Sequence, residues 1–441
     1  MKNQKELEVF ILENEKVLEF INQGKTLAQM ENYSKAKEYF QTAISLDKHN
    51  VDAYLNLGNV CANLSQFDEA LLAFEKVKLL DVDNGENYFN IGNIYILKDN
   101  LLKAIENYNK AEEKGFNNIE LYANLAGMYR QLGETQQAIR NLTKAIKVAP
   151  LRGDIRVEKA YIYIELGKFQ EALETLEDMQ KIIPDAFEAY DLQTQIYCGL
   201  GKYEKALEII TGATKRFEND VVLQWIKIKV LVEMKKFDEA KKEIIGIKQK
   251  RDYPNIAKEV SIQESIIHTS NNDIHAGIKA LESALEYENE KIDEDTRYLL
   301  MNLYVSIKDY ERAIDVAKVL EDTKSESLYC ISAMYYIPYI WKLQNKTEES
   351  FNRFKELVSK FRKLSIKHPN FYELYMYRVL SHTEIKEYDK ALELAEYIED
   401  LFPERFDAFA LRYTIYTAMG ETEKAEEARI KAKELNPDLN I

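Results

Sequence analysis

The chain has 441 residues, with 75 acidic against 60 basic side chains, a formal charge of −15 and 46% apolar residues. Its 15 glycines and 7 prolines are about half the usual share, too few for a loop-rich β fold, and the apolar fraction excludes wholesale disorder. The acidic balance counts against nucleic acid as a partner, because phosphate binding leaves a basic footprint.

The first residues, Met1-Lys2-Asn3-Gln4-Lys5-Glu6-Leu7, run into Glu13, Glu15 and Lys16 without the apolar core of a secretory signal. No stretch approaches the roughly 20 apolar residues needed to cross a bilayer. Cys61, Cys198 and Cys330 are odd in number and far apart, neither a disulfide framework nor a zinc pattern. The expectation is a cytoplasmic protein with no membrane partner, in which the Asn-x-Ser/Thr triplets at Asn63, Asn141 and Asn345 carry no sugar. Usage rich in Lys, Ile and Asn points to an AT-rich, bacterial genome.

A period of 34 residues organises the chain. Ala36, Ala70, Ala104, Ala138, Ala172, Ala206 and Ala240 stand at that interval. Four residues after each comes a bulky apolar group: Phe40, Phe74, Tyr108, Leu142, Leu176, Ile210 and Ile244. Twelve residues before the first five comes a small one: Gly24, Gly58, Gly92, Ala126 and Ala160. Within one period, Tyr54, Leu57, Gly58 and Cys61 share one stripe of a 3.6-residue helix. The turn Ser65-Gln66-Phe67-Asp68-Glu69 comes next, and Ala70, Phe74 and Val77 form the stripe of a second helix. A small residue facing another helix lets the two axes approach, and the aromatic fills the gap beside it. Pro150, Pro184, Pro403 and Pro437 stand where second helices should stop. Asp52, Glu86, Glu120, Asp154, Glu188, Asp295, Glu373 and Asp407 each put an acid in a first turn, complementing the helix dipole.

Tyr54…Leu57-Gly58…Cys61…Ala70…Phe74, Tyr88…Ile91-Gly92…Tyr95…Ala104…Tyr108 and Tyr122…Leu125-Ala126…Tyr129…Ala138…Leu142…Pro150 resemble the tetratricopeptide repeat signature. After Ala240 the register loosens, with equivalents at Gly277, Ala313, Ser350, Ala391 and Ala425, of which Gly277 and Ser350 depart from the pattern. The resemblance implies an all-α fold, a right-handed α-solenoid superhelix of about twelve stacked antiparallel helix pairs with a concave inner wall. It divides the chain into an N-terminal capping helix (1–16), seven regular units (17–254), three divergent units (255–370) and two C-terminal units (371–441). In the last unit Arg429 takes the place that Phe40 and Phe74 hold earlier, which makes the final helix a polar end cap.

Opposite the stripe of Tyr54, Leu57, Gly58 and Cys61 lies a face that the resemblance places on the inner groove. It carries Asn56 and Asn59, then Asn90 and Asn93, then Asn124 in three successive repeats. Asparagine is a poor interior helix residue, and a carboxamide offers donors and an acceptor to the backbone of an extended peptide. These five are the candidate peptide-binding ladder; the competing reading is that they are solvated consensus residues. Chaperone-tail grooves of the family add Lys or Arg to clamp a terminal carboxylate. Here the matching places hold Leu55, Glu120 and Asn124, which argues against such a tail. The acids at Asp52, Glu86, Glu120, Asp154 and Glu188 favour a neutral or basic protein segment, unless they serve only as helix-start residues.

Toward the C-terminus, Tyr298, Asn302, Tyr335, Tyr336, Tyr339 and Tyr377 form either a second binding surface or part of the core. Tyr335 and Tyr339 are the groove candidates, and Pro338 should kink their helix or break its ladder. The segment 221–254 is locally basic, with Lys235, Lys236, Lys241, Lys242, Lys248, Lys250 and Arg251 on an outer wall. It reads as a solvated face or as a docking patch for an acidic partner.

Catalysis finds no candidate residues. His49, His268, His275, His368 and His382 show no metal spacing, and Gly199-Leu200-Gly201-Lys202 lacks the Ser/Thr of a phosphate loop. No cofactor or metal is expected, and no span is left for a separate enzyme domain. The leading expectation is a non-enzymatic adaptor that binds a partner's extended or helical segment in its groove. The alternatives are a peptide-sensing regulator of the Gram-positive pheromone-receptor type, whose effector bundle residues 1–16 are too short to supply, and the regulatory subunit of a multiprotein complex.

Overall fold

The computed structural model describes residues 2–288, 291–402, 407–436 and 439, with side chains from residue 14 onward. Among these, all regular structure is helical: 24 α-helices and one short 3-10 turn. Pro403 and Pro437 lie outside the described residues. The chain divides into two compact units, Met1–Ile209 and Ile210–Ile441.

In the first unit α1 (Lys2–Gln29) pairs with α2 (Tyr33–Leu46), α3 (Val51–Asn63) with α4 (Phe67–Leu80), and α5 (Gly85–Leu97) with α6 (Leu101–Glu113). Next, α7 (Ile119–Gln131) pairs with α8 (Thr135–Val148) and α9 (Gly153–Glu165) with α10 (Phe169–Ile182), followed by α11 (Phe187–Gly199) and by α12 (Tyr203–Arg216), within which the first unit ends. Odd-numbered helices also touch odd-numbered neighbours, α1 with α3, α3 with α5 and α9 with α11, and so form one layer. Residues 3–16 extend α1 and form no helix of their own. Pro150 and Pro184 stand just past the ends of α8 and α10.

One turn geometry joins the helices within each pair. Glu31, Ser65, Asp99, Gly133, Gly167, Gly201 and Lys235, 34 residues apart, all adopt left-handed φ values between 53° and 74°. The next residue then donates its N–H back into the first helix, as in Gln66 N to Cys61 O (2.8 Å), Asn100 N to Tyr95 O (2.8 Å) and Lys168 N to Tyr163 O (2.8 Å). This closes the otherwise orphaned carbonyls of a helix C-terminus. At the opposite seam Asn50, Asn84 and Asn118 cap α3, α5 and α7, each Oδ1 accepting from the backbone N–H three residues on.

The small residues do what their spacing predicts. A Cβ added to Gly58 would lie 2.3 Å from Phe74, and one added to Gly92 would lie 2.6 Å from Tyr108. Where the facing position is leucine, at Leu142 and Leu176, alanine replaces glycine, and Ala126 and Ala160 are fully buried. The resulting core is continuous, with Tyr88, Tyr108, Tyr122, Leu125, Leu142 and Ile162 in one cluster spanning α5 to α9. Burying each large side chain contributes about 1.5–3 kcal/mol.

In the second unit α13 (Val221–Glu233) pairs with α14 (Phe237–Ile247), and a 3-10 turn (Tyr253–Ile256) leads into α15 (Ala257–Ser270) and α16 (Ile274–Leu285). Then come the pairs α17 (Glu294–Ser306) and α18 (Tyr310–Asp322), α19 (Leu328–Leu343) and α20 (Thr347–Lys367), α21 (Tyr372–Glu384) and α22 (Tyr388–Leu401), and α23 (Asp407–Met419) and α24 (Thr422–Leu435). Both departures from the repeat pattern have local causes. Gly277 meets α15 so closely that a Cβ would lie 2.7 Å from Thr269. Ser350 is buried and donates from Oγ to the Pro338 carbonyl at 2.8 Å. Helix α19 runs uninterrupted through Pro338.

Candidate functional site

In the first unit the five predicted asparagines lie on α3, α5 and α7, all half-buried. Their amides are unequally engaged. Asn56 Nδ2 donates to the Asp52 carbonyl (2.7 Å) and carboxylate (2.8 Å), and that carboxylate also holds Lys25 at 2.7 Å. Tyr108 of α6 joins two more: its hydroxyl donates to Asn93 Oδ1 and accepts from Asn124 Nδ2 at 3.1 Å. Burial pushes the Tyr108 phenol up to about 12. Asn90 Nδ2 is buried with no acceptor among the described residues.

Beyond Asn124 a recess of about 630 Å³ opens between α7, α9, α10 and α11, which the repeat pattern alone does not single out. Leu151, Val157, Met179 and Ile183 give it apolar walls, and the Tyr161 ring, 45% exposed, stands at its mouth. Asp154, Glu158, Glu165 and Glu188 supply carboxylates. Asp154 is held by Arg152 at 2.6 Å and Glu165 by Arg130. Among the described residues no cation pairs with Glu158 or Glu188, and burial raises the Glu158 pKa against the opposing charge of Arg130. The legible signal was positional: Glu158 lies one 34-residue period after Asn124.

In the second unit Tyr335 is 8% exposed and does not line a groove, contrary to expectation. It packs against Phe354 (centroids 5.4 Å apart) and Tyr377 (5.0 Å) in the core between α19, α20 and α21. Tyr377 is buried too and donates to Ser332 Oγ at 2.8 Å. Tyr339 and Tyr336 remain half-buried, edge to face at 6.1 Å, while Asn302 Nδ2 is spent on the Tyr298 carbonyl at 3.0 Å. Of the basic segment, Lys241 and Lys242 are exposed, and Lys248 pairs with Glu264 at 2.5 Å.

Among the described residues no group of His, Cys, Asp and Glu is placed to hold a metal ion, and no helix is long and apolar enough to cross a membrane.

Layers of antiparallel helix pairs joined by one recurring turn define an all-α repeat protein. Residues 27–91 and 129–196 match one tetratricopeptide repeat profile and residues 85–113 match a second. The chain is a tetratricopeptide repeat protein, with helical repeats over nearly its whole length, and this fold serves as a scaffold for protein–protein interaction. Solved structures with a similar fold include YrrB, described as a TPR protein with an unusual peptide-binding site (24% identity, TM-score 0.34, 40% of this chain and 91% of that one). Others are MamA (20%, 0.34, 37% and 96%) and the Naa15/Naa10 complex bound to HypK-THB (16%, 0.44, 96% and 64%). No curated protein matches the sequence.

Proposed function

We propose that the odd-helix layer of the first unit binds an extended segment of a partner protein, neutral along most of its length and carrying a basic side chain. The observation that carries this reading is the recess on α7, α9, α10 and α11, where Glu158 and Glu188 make no ion pair among the described residues, Arg130 being engaged by Glu165, beside apolar walls and the exposed Tyr161 ring. A lysine or arginine entering it lays its methylene stem on Val157 and Tyr161 and sets its charge against Glu158. Asn59 and Asn90 are the ladder members with hydrogen-bonding capacity left over. They meet the backbone of the segment, the Asn90 amide turning out of its buried position to do so, with Asn56, Asn93 and Asn124 holding the layer's polar network beside them. Tyr339 offers a further contact in the second unit.

The test is a peptide array of extended octamers scanned for charge, probed with the wild-type chain and with Glu158→Gln. Peptides with Lys or Arg among apolar residues should be retained, and the variant should bind them about tenfold more weakly, about 1.4 kcal/mol. Retention of acidic peptides, or equal binding by both proteins, overturns the reading. The triple variant Asn56, Asn90 and Asn124→Ala should weaken all retained peptides while its helical circular dichroism stays unchanged.

A further inference from the structure

Helix α21 repeats the local stripe of the early repeats with two substitutions of kind. Where α3 carries Tyr54, Leu57, Gly58 and Cys61, α21 carries Tyr375, Arg378, Val379 and His382. The same position holds Leu57, Ile91 and Leu125 in three early repeats and Lys159 and Lys227 in two others, of which Lys227 has a carboxylate partner in Glu243 at 2.6 Å.

The Arg378 guanidinium is left uncompensated there. Its Nε is buried without an acceptor, and no carboxylate pairs with it among the described residues. Burial and the neighbouring charge of Arg362 both lower its pKa, with no carboxylate among the causes that oppose them. An orphaned buried donor is costly, and more so when charged. In a chain with 75 acidic side chains, absence of a partner is not for want of carboxylates. The acid nearest in sequence within the same recess is already engaged: Glu387 holds Lys390 at 2.9 Å and His382 at 2.8 Å.

Arg362 of α20 and Arg378 both line an open recess of about 1060 Å³ bounded by α20, α21 and α22. Val358, Ile366, Tyr375, Leu394 and Tyr397 supply apolar wall, and Lys355 adds a third cation from α20. Glu393, Glu396 and Asp400 stand along α22 and disfavour a ligand with several negative charges. The lining suits one compact anionic group, because guanidinium forks match the paired oxygens of carboxylate and phosphate.

We propose that Arg362 and Arg378 form an oxyanion-binding site that takes a single carboxylate or phosphate group. All of its residues lie in the second unit, and none lines the recess proposed to bind the segment. Occupancy supplies the counter-charge that the Arg378 guanidinium lacks.

The test uses the full chain with inorganic phosphate and with acetate, against chloride at matched ionic strength. The bound anion should raise the melting temperature by about 2–4 °C at roughly ten times its dissociation constant. The rise should vanish in Arg378→Leu, which restores the residue type of Leu57 and should melt no lower than wild type in chloride. A rise with phosphate alone assigns a phosphate site, and a rise with acetate assigns a carboxylate site. The exposed Arg362→Gln keeps the test decisive should Arg378→Leu misfold, since it too should reduce the rise. Equal rises in wild type and variants, or none with either anion, overturn the proposal.

Discussion

A methyl group placed on Gly58 would stand 2.3 Å from Cε1 of Phe74, so the ring occupies the volume that any side chain at position 58 would need. Phe74 is 1% exposed and has no room to move aside. The same relationship joins Gly24 with Phe40 and Gly92 with Tyr108. It relaxes to alanine where the partner position is leucine.

Gly58→Ala should therefore destabilise the first unit by about 1–3 kcal/mol through overpacking. Phe74→Leu alone should also destabilise, by loss of buried ring. The double variant reproduces the Ala126 and Leu142 combination and should recover most of the loss, a coupling that urea denaturation of the four proteins will measure. Additive losses would show that the two residues do not share one space.

Tyr108 connects Asn93 to Asn124 through its hydroxyl. Tyr108→Phe keeps the ring and removes both bonds, at a cost of about 0.5–1.5 kcal/mol for each bond lost. The same residue predicts a pH dependence. Its folded pKa, about 12, lies above the ordinary phenol value of 10.0. Proton retention by the folded chain thus stabilises it fully below pH 10.0, and that contribution is lost as pH rises toward 12. Denaturation at pH 8 and pH 11 should show a smaller drop for Tyr108→Phe than for wild type.

Lys235 adopts φ 57° where three other repeats place glycine, at Gly133, Gly167 and Gly201. A left-handed conformation costs a residue with a Cβ roughly 1–2 kcal/mol, while glycine adopts it freely at some entropic expense in the unfolded chain. Lys235→Gly should stabilise the α13–α14 pair by about 0.5–1 kcal/mol, read as slower amide exchange in those helices. Gly167→Ala should do the reverse in its own pair.

The helix pairs were legible because a 34-residue interval repeats the same small residue, alanine and bulky partner, and the close approach of backbones leaves such positions few alternatives. The ladder was legible in position but not in bonding. Nothing in a 34-residue interval reveals that Asp52 takes the Asn56 amide, although Tyr108 in place of Phe40 and Phe74 marks a hydroxyl needing partners. Tyr335 was misplaced because Leu328–Leu343 is apolar on nearly every side. Nine of its residues are buried, so no single stripe marks the core face. Arg378 was not legible as a site residue, because Lys159 and Lys227 hold the same position in other repeats, and only the cavity and the missing carboxylate set it apart.

From Glu31 to Lys235 the left-handed residue that closes each first helix recurs at one fixed interval, with the same backward bond beside it. Each junction is therefore interchangeable with its neighbours. Excising or duplicating a stretch cut at two such points leaves the new joint indistinguishable from the old ones. A gene encoding this chain can accordingly grow or shrink by whole modules through misaligned recombination, without inventing a new joint.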